Sequence, residues 1–576
     1  MMRAASGGRA RELVRTGVYV YLAFPVLLFF LGWCRWYIGI PAALITVYAV
    51  LLCQKEHRMG YIAEDSGTNQ PENGIRCRAA TGTWWKVAGT WWKIAGIVGL
   101  VLLWAGLSGI GGYVWQNSDH PIRNQIFMQL IEAHWPVVQE LESAAGTRGL
   151  VYYLGYWLPA AVAGKLFGTA AGWAVQYVWA VVGILLMYAL LCMHRKKISV
   201  WPLLVIIFFS GTDAVGMLLR EPEKFHLIGT LSLDEWFGYY QFSSMTTQLF
   251  WVFNQAVPAW VLCALVFLEE KPRNLLFASS LIILTSTFPF AGMLPFVLYF
   301  MVTRAPWSTA KEAAGQMLQI GKECWKNWGS LQNVLGGGTV AVICGIYLAG
   351  NDSVRGSLQR FGTGGESLSG AGTVWMYVIP VCVALAGILA ACAGVWILTA
   401  LILRGWGRRL KKMALMLGGI AVCLRILTIE TELSPLRYGI YLLVFYVLEA
   451  GLLLAVLYPS VEDKRLFALN GIWLFVIPLI LVGKANDFCM RASIPGLFLL
   501  LLWSIQMLER SKKRWPACLL LVLLLIGALT PMHEMARTIV NTQAGLENQT
   551  AEAERVLRGN NFSGSAEGFF WKYIAK

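Results

Sequence analysis

Three stretches of the sequence place charged side chains directly beside long apolar segments. The first contains Asp119, His120 and Arg123 and follows an apolar run that ends near Gly112. Charged groups at the edge of a membrane are costly unless they are paired or used, so each stretch is a candidate functional site. Asp119 is a candidate general base, and the apolar residues after it recur at the spacing of an amphipathic helix. The structural alternative is that Asp119 only caps this helix, since Asp is a favoured N-cap and Pro121 suits the first turn.

The second stretch begins with Asp213, at the end of another apolar run, and leads into a loop that contains Asp234 and Glu235. A second carboxylate at the same membrane level can position a substrate, bind a divalent cation together with Asp119, or raise the pKa of its partner. Glu221 and Glu223 lie between these residues, and the structural alternative for these two is a solvated acidic loop.

Polar side chains then interrupt an aromatic-rich segment between Gln241 and Asn254. Such groups hydrogen-bond sugar hydroxyls in carbohydrate sites, where aromatic rings stack on the sugar. Contacts between packed helices are an equal alternative, because buried polar side chains often connect helices within a membrane.

The third stretch contains Lys484, Asp487 and Arg491 near the end of a late apolar segment. Arginine binds phosphate oxygens through paired, charge-assisted hydrogen bonds. The alternative is a structural ion pair, since Asp487 and Arg491 are four residues apart and share one face of a helix. The sequence contains no nucleotide-binding or hydrolase motif such as a P-loop, GxGxxG after a strand, GxSxG or HExxH, and no His/Cys cluster with metal-ligand spacing.

The elements that must position these residues are membrane helices. The chain is 57% hydrophobic and only 14% charged, whereas soluble domains carry about 25% charged residues. This composition excludes soluble enzymes and nucleic-acid-binding proteins. Its long apolar blocks predict an all-α polytopic membrane protein with about 13–15 transmembrane helices and amphipathic juxtamembrane helices on the outer face, because about 20 apolar residues span a bilayer.

The distribution of basic residues predicts the topology. Most of the 47 Lys and Arg fall in loops that alternate with the apolar segments, and excess positive charge marks the cytoplasmic side. The N-terminus is therefore predicted inside and the C-terminus outside. For the basic loops to remain on the cytoplasmic side, the segment 150–168, which is apolar and aromatic-rich, must lie on the outer face without crossing the membrane. The segment 275–303 is predicted as two short tilted helices or a re-entrant hairpin.

The predicted organisation has five parts. They are an N-terminal transmembrane hairpin (1–53), a cytoplasmic loop (54–94), a segment carrying the candidate residues (95–260, with outer loops 113–170 and 219–254), a C-terminal transmembrane bundle (261–531) and an extracytoplasmic tail (532–576) that contains an amphipathic helix.

The order of these parts resembles the GT-C superfamily of integral-membrane glycosyltransferases, which includes protein O-mannosyltransferases and the lipid A aminoarabinose transferase. The shared features are a large outer loop opening with Asp119 and an amphipathic helix, an aromatic segment ending in Lys165-Leu166-Phe167-Gly168, a basic cytoplasmic turn, and a span emerging at Asp213. They cover about residues 95–260. Many members have two adjacent acidic residues in the first loop, whereas here His120 follows Asp119.

The resemblance implies that Asp119 is the general base and that Asp213 occupies the second acidic position. It also implies a polyprenyl-phosphate sugar donor that enters from the membrane lipids, and an extracytoplasmic acceptor. On chemical grounds Arg491, with Lys484 or Lys165, is expected to hold the departing phosphate. The remaining candidate substrate-binding residues are His120, Arg123, Asp234, Glu235, Gln241, Asn254 and Asp487.

Two other functions stay open on the sequence. A carrier or flippase of lipid-linked glycans is the main alternative, although such transporters often show internal repeats that this chain lacks. A ligase or polymerase of envelope polysaccharide is the other, and Arg123, His120 and His134 are compatible with it. In each case the expected location is the plasma membrane of a bacterium, the expected partners include membrane lipids but no nucleic acid, and the only expected cofactor is an optional divalent cation.

Overall fold

The computed structural model describes residues 2–65, 87–140, 147–225, 232–238, 240–268, 270–304, 328–352, 441–480, 486–510, 514–548 and 562–576. The predicted spans between residues 353 and 440, and the candidate phosphate ligand Lys484, lie outside these ranges.

The described part of the chain is mainly helical and contains seven helices that are long and apolar enough to cross a membrane. Since about 20 apolar residues span a bilayer, these helices agree with the prediction of a polytopic membrane protein. The total of 13–15 spans stays a prediction. The seven helices are Ala10–Trp33, Trp36–His57, Thr169–Arg195, Met245–Leu268, Gln332–Ala349, Asp487–Arg510 and Trp515–Gln543.

The described helices up to residue 303 are labelled in chain order. They are α1 (Met2–Trp33), α2 (Trp36–Asp65), α3 (Val87–Leu107), α4 (His120–Glu132), α5 (Leu158–Phe167), α6 (Thr169–Arg195), α7 (Trp201–Ile207), α8 (Asp213–Arg220), α9 (Met245–Leu268), α10 (Leu275–Ser280) and α11 (Thr287–Thr303). Later helices are Gly338–Ala349, Tyr441–Leu457, Lys464–Val476, Asp487–Ala492, Ile494–Arg510, Arg514–Gly527 and Leu529–Gln543. The α1–α2 pair forms the predicted hairpin, and α2 continues beyond residue 53 into the predicted loop.

The segment 150–168 folds as a short 3-10 turn (Leu154–Trp157) followed by α5. With ten residues, α5 is about 15 Å long, half of the roughly 30 Å hydrocarbon core. Gly168 has a positive φ of 90° and turns the chain into α6, a conformation that glycine adopts at no steric cost. These bounds agree with a segment that does not cross.

The segment 275–303 contains two helices, as both of its alternatives require. The first, α10, has six residues, and a buried turn through Ser286 connects it to the 17-residue α11. The hydroxyl of Ser286 donates to the Gln255 carbonyl at 2.7 Å, which fixes this turn against α9.

A small antiparallel sheet is the main departure from the all-α prediction. Its strands are β1 (Val138–Glu140), β2 (Thr147–Leu150) and β3 (Ser563–Ser565), with β2 in the centre. The C-terminal tail supplies β3 and then packs the Trp571 ring 2.1 Å from where a Cβ on Gly149 would lie. Only glycine permits this approach, so the tail is built into the loop that follows α4.

Contacts between distant segments sort the helix ends into two groups. Arg273 pairs with Glu56 at 2.6 Å, and Arg195 pairs with Glu509; Glu56 lies in the segment 54–94 that the sequence predicts to be cytoplasmic. At the far end of α1, Arg35 Nε donates to the Ala575 carbonyl at 2.9 Å. The C-terminus is thus tied to the end of α1 that is opposite to the N-terminus.

Candidate functional site

The turn that carries Asp119 begins with three glycines of positive φ, at positions 109, 111 and 112. These residues reverse the chain after α3. Asp119 occupies the N-cap position of α4, as the capping alternative requires, but its side chain makes no capping hydrogen bond. Its Oδ2 instead accepts a hydrogen bond from Arg123 Nη2 at 2.7 Å. The Asp119 side chain is 42% exposed and that of Arg123 only 6%, so the carboxylate remains accessible while its partner is buried.

A break in α9 holds this turn in place. Val252 departs from helical geometry (φ −135°, ψ 34°), and the carbonyl of Phe250 is thereby available to groups outside the helix. Asn117 Nδ2 donates to it at 2.9 Å, and His120 Nε2 lies 3.0 Å from it. The structure places His120 in the interior, stacked on Phe253, where it positions the turn.

Arg491 forms the second part of the site. Its Nη2 lies 3.0 Å from Asp487 Oδ1, and its Nη1 donates to the Tyr153 hydroxyl at 3.0 Å. The guanidinium also lies 5.9 Å from the ring centroids of both Tyr153 and Phe288. The predicted ion pair with Asp487 therefore forms, and it occupies only one edge of the guanidinium.

The two parts are electrostatically connected. The negative charge of Asp119 interacts favourably with the positive charge of Arg491. The guanidinium groups of Arg491 and Arg123 both interact with the Tyr152 hydroxyl. Burial raises the pKa of Tyr152 well above its ordinary value and Tyr153 adds to the increase, while Arg491 and Arg123 oppose it. Asp119, Arg123 and Arg491 thus belong to one cluster. We call these three residues, together with Tyr153 and Asp487, the Asp119–Arg491 cluster.

Two buried N–H groups of this cluster have no hydrogen-bond partner among the described residues. They are Arg123 Nη1 and Arg491 Nε. An unsatisfied charged donor in the interior costs more than an ordinary lost hydrogen bond, and such groups point to an unseen water or anion.

A second group of acids lies apart from this cluster. Asp213 Oδ2 accepts hydrogen bonds from Ser210 at 2.6 Å and from Thr530 at 2.9 Å. The carboxyl of Glu449, from the helix Tyr441–Leu457, interacts directly with that of Asp213 and accepts from the Trp236 indole at 2.8 Å. A Cβ on Gly211 would lie 2.0 Å from Glu449 Oε2, so the glycine permits this approach.

Asp234 completes the buried acid group of Asp213, Asp234 and Glu449. Burial raises the pKa of Asp213, although contacts with Glu449, Ser210 and Thr530 lower it. Burial and the charge of Asp213 raise the pKa of Asp234 further above its ordinary value. The three side chains are at most 1% exposed. The structure thus groups Asp213 with Asp234 and Glu449, whereas the options from the sequence placed it beside Asp119.

The helix Leu529–Gln543 connects the two groups. Glu534 accepts hydrogen bonds from Ser232 at 2.8 Å and from the Trp251 indole at 2.9 Å, and it pairs with Arg537 at 2.5 Å. Burial raises the pKa of Glu235, and the negative charges of Glu534 and Asp119 raise it further. Sequence analysis did not identify Glu449, Glu534 and Arg537 as site residues. The signal for Glu449 was a charge inside an otherwise apolar segment, whereas Glu534 and Arg537 lie in an amphipathic helix where charges are ordinary.

The other predicted site residues lie elsewhere. Lys165 Nζ donates to the Ile131 carbonyl at 3.0 Å and also to that of Ala133, so it satisfies the C-terminal end of α4. Burial lowers the pKa of Lys165. The backbone carbonyl of Gln241 accepts a hydrogen bond from the Cys489 thiol, which lies in the helix Asp487–Ala492. Asn254 is buried, and both polar atoms of its amide lack a partner among the described residues.

No known protein family matches the chain, and neither a curated protein nor a solved structure is detectably similar to it.

Proposed function

We propose that this protein is a membrane glycosyltransferase that moves a sugar from a polyprenyl-phosphate donor to an extracytoplasmic acceptor. The observation that carries the proposal is the pair of unpartnered buried N–H groups, Arg123 Nη1 and Arg491 Nε, beside the accessible carboxylate of Asp119. An anion-binding pair next to a base is the combination that transfer from a sugar phosphate requires.

Each residue has a defined part in the transfer. The Asp119 carboxylate takes the proton of an acceptor hydroxyl or amine as that atom bonds to the anomeric carbon. The bond between the anomeric carbon and the phosphate oxygen breaks, and its electron pair leaves with the lipid phosphate. Arg491, a planar cation with a free N–H, stabilises the negative charge of this leaving group.

The surroundings of Asp119 support its part as a base. The Asp119 side chain is 42% exposed, so an acceptor can reach its carboxylate. In contrast, Asp213 is enclosed with two other acids and is a supporting residue of the site in this proposal. The resemblance to the GT-C superfamily is in agreement with Asp119 as the base.

The proposed location is the plasma membrane of a bacterium, with the N-terminus in the cytoplasm and the C-terminus and Asp119 outside. The contact between Arg35 and the last residues supports termini on opposite sides of the membrane, because it joins the C-terminus to the end of α1 that is opposite to the N-terminus. A lipid donor then reaches Arg491 from within the bilayer, without crossing an aqueous phase.

The test is a transfer assay with purified protein, a panel of polyprenyl-phosphate sugars and an extract of envelope acceptors. Mass spectrometry follows donor loss and glycosylated product, with Asp119→Asn as the comparison. Consumption of one donor that depends on Asp119 supports the proposal. Movement of intact donor across proteoliposome membranes with no product favours the carrier instead.

A further inference from the structure

A cavity of about 310 Å³ opens beside Asp119, between the Asp119 turn and the segment that follows the helix Leu529–Gln543. Trp115, Gln116 and Ser118 line one side, and Leu546 and Glu547 line the other. Three of the five lining residues belong to the turn that carries Asp119, and Ser118 directly precedes the proposed base in the chain.

Hydrogen bonds tie the two walls of the cavity together. The backbone N–H of Trp115 donates to the Thr542 hydroxyl at 2.9 Å, and that of Gln116 donates to Asn548 Oδ1 at 2.7 Å. Asn548 Nδ2 returns a bond to the Val114 carbonyl at 3.1 Å. The cavity is therefore preformed, as small-molecule sites usually are.

The lining has the chemistry of a carbohydrate site. Trp115 offers an aromatic ring for the apolar face of a sugar, while the Ser118 hydroxyl and the Glu547 carboxylate bond hydroxyl groups. The Gln116 amide already bonds the Gly109 carbonyl and Asn124, and it shapes the wall of the cavity. None of the five lining residues is a cation. The Arg537 guanidinium lies 5.8 Å from the centroid of the Trp115 ring, but it is paired with the Glu534 carboxylate, and the Glu547 carboxylate in the lining disfavours a phosphate. One leucine is too little apolar surface for an acyl chain. The volume is at the lower end of the usual range for ligand pockets, about 300–1,000 Å³, and suits a single sugar ring.

We propose that this cavity binds the terminal sugar of a glycan acceptor and presents one of its hydroxyls to Asp119. The inference rests on the proposed function and narrows the acceptor from protein, lipid or glycan to a glycan. Trp115 and Glu547 determine the specificity, and neither takes part in the chemical step.

The test measures binding of methyl glycosides of hexoses and N-acetylhexosamines to the full-length protein in nanodiscs by ligand-observed NMR. At least one glycoside is expected to bind with a Kd on the order of 1 mM. Trp115→Ala and Glu547→Gln are each expected to weaken it by about tenfold or more, since each removes a principal contact. Trp36→Ala is the matched control, because Trp36 is 72% exposed on the same predicted face.

Trp115→Phe keeps a ring and should retain most of the binding, which separates loss of stacking from misfolding. The proposal fails if no glycoside binds at tens of millimolar, if peptides bind in its place, or if both variants bind as the parent does. Donor binding is measured on the same samples. If a glycoside binds through Trp115 but no donor transfers a sugar to it, the proposed transferase function is contradicted and the proposed sugar site is not. Transfer that is unaffected by Trp115→Ala contradicts the sugar site alone.

Discussion

The His120 ring and the Phe250 carbonyl oxygen, 3.0 Å apart, connect the turn that presents Asp119 to the break in α9. A continuous helix would use this carbonyl for its own hydrogen bond four residues on. The break at Val252 leaves it for Asn117 and His120 instead. The accessible base is thereby anchored through two neighbours that are themselves buried.

This anchor predicts a pH dependence of stability. Burial lowers the pKa of His120 from 6.5 to about 4, so the folded state binds fewer protons than the unfolded state between these values. The stability that the neutral ring contributes is present above pH 6.5 and is lost as the pH falls towards 4. A shift of this size corresponds to roughly 3 kcal/mol in the free energy of unfolding.

The measurement is the Tm of the purified protein from pH 7.5 to 4, for the parent and for His120→Gln. The variant should be less stable at neutral pH, and the gap should narrow as the pH falls. His134→Gln is the control, because His134 is exposed two residues after α4. A constant gap across the range contradicts a neutral, buried His120.

Asp119→Asn is expected to fold normally and to lose transfer by at least about 100-fold, since general base catalysis contributes roughly 10²–10⁴-fold. The half-exposed side chain makes one ion pair, so an uncharged isostere is tolerated. Steady-state transfer and Tm are measured together, and Glu132→Gln, an exposed acid on the same helix, is the control. Retained activity in Asp119→Asn excludes the base.

Arg491→Lys tests the phosphate contact more sharply than removal of the charge. Lysine keeps the cation but has no planar set of N–H groups, so donor KM should increase by about tenfold or more while acceptor KM is unchanged. Arg510→Lys, half-exposed at the other end of the same candidate span, should behave as the parent. If donor and acceptor KM change equally, the guanidinium acts only as the structural partner of Asp487.

The predicted sidedness has a direct test in Ser118→Cys and Lys197→Cys, both made in a background without native cysteines. Both positions are exposed, so differences in labelling report location. A thiol reagent that does not cross membranes should label Ser118→Cys in intact cells and leave Lys197→Cys unlabelled until the cells are opened. The reverse pattern inverts the topology.

What the sequence predicts well is local. The apolar runs that form α1, α2, α6 and α9 exceed the thickness of a bilayer, and the pair of Asp487 and Arg491 follows from the spacing of a helix. Glu534 and Ser232 are 302 positions apart, and neither local pattern indicates their contact. The same holds for β3, which lies near the C-terminus and pairs with β2, about 400 residues earlier in the chain. Buried polar contacts between distant helices depend on how the helices pack, and one sequence carries no signal for that.

The buried acid group offers the last prediction, on Asp213. Because burial raises its pKa in the folded state, the folded protein binds more protons there than the unfolded chain, and stability is lost as the pH rises from the ordinary range of an Asp through the raised pKa. Asp213→Asn cannot ionise, and its amide oxygen can still accept the bonds from Ser210 and Thr530. Its Tm should exceed that of the parent at pH 8, with a difference that shrinks towards pH 4. Asp352→Asn, a more exposed acid paired with Arg148, should not show this gain. If Asp213→Asn is instead less stable at every pH, the carboxylate itself is required, which contradicts an acid that burial keeps protonated.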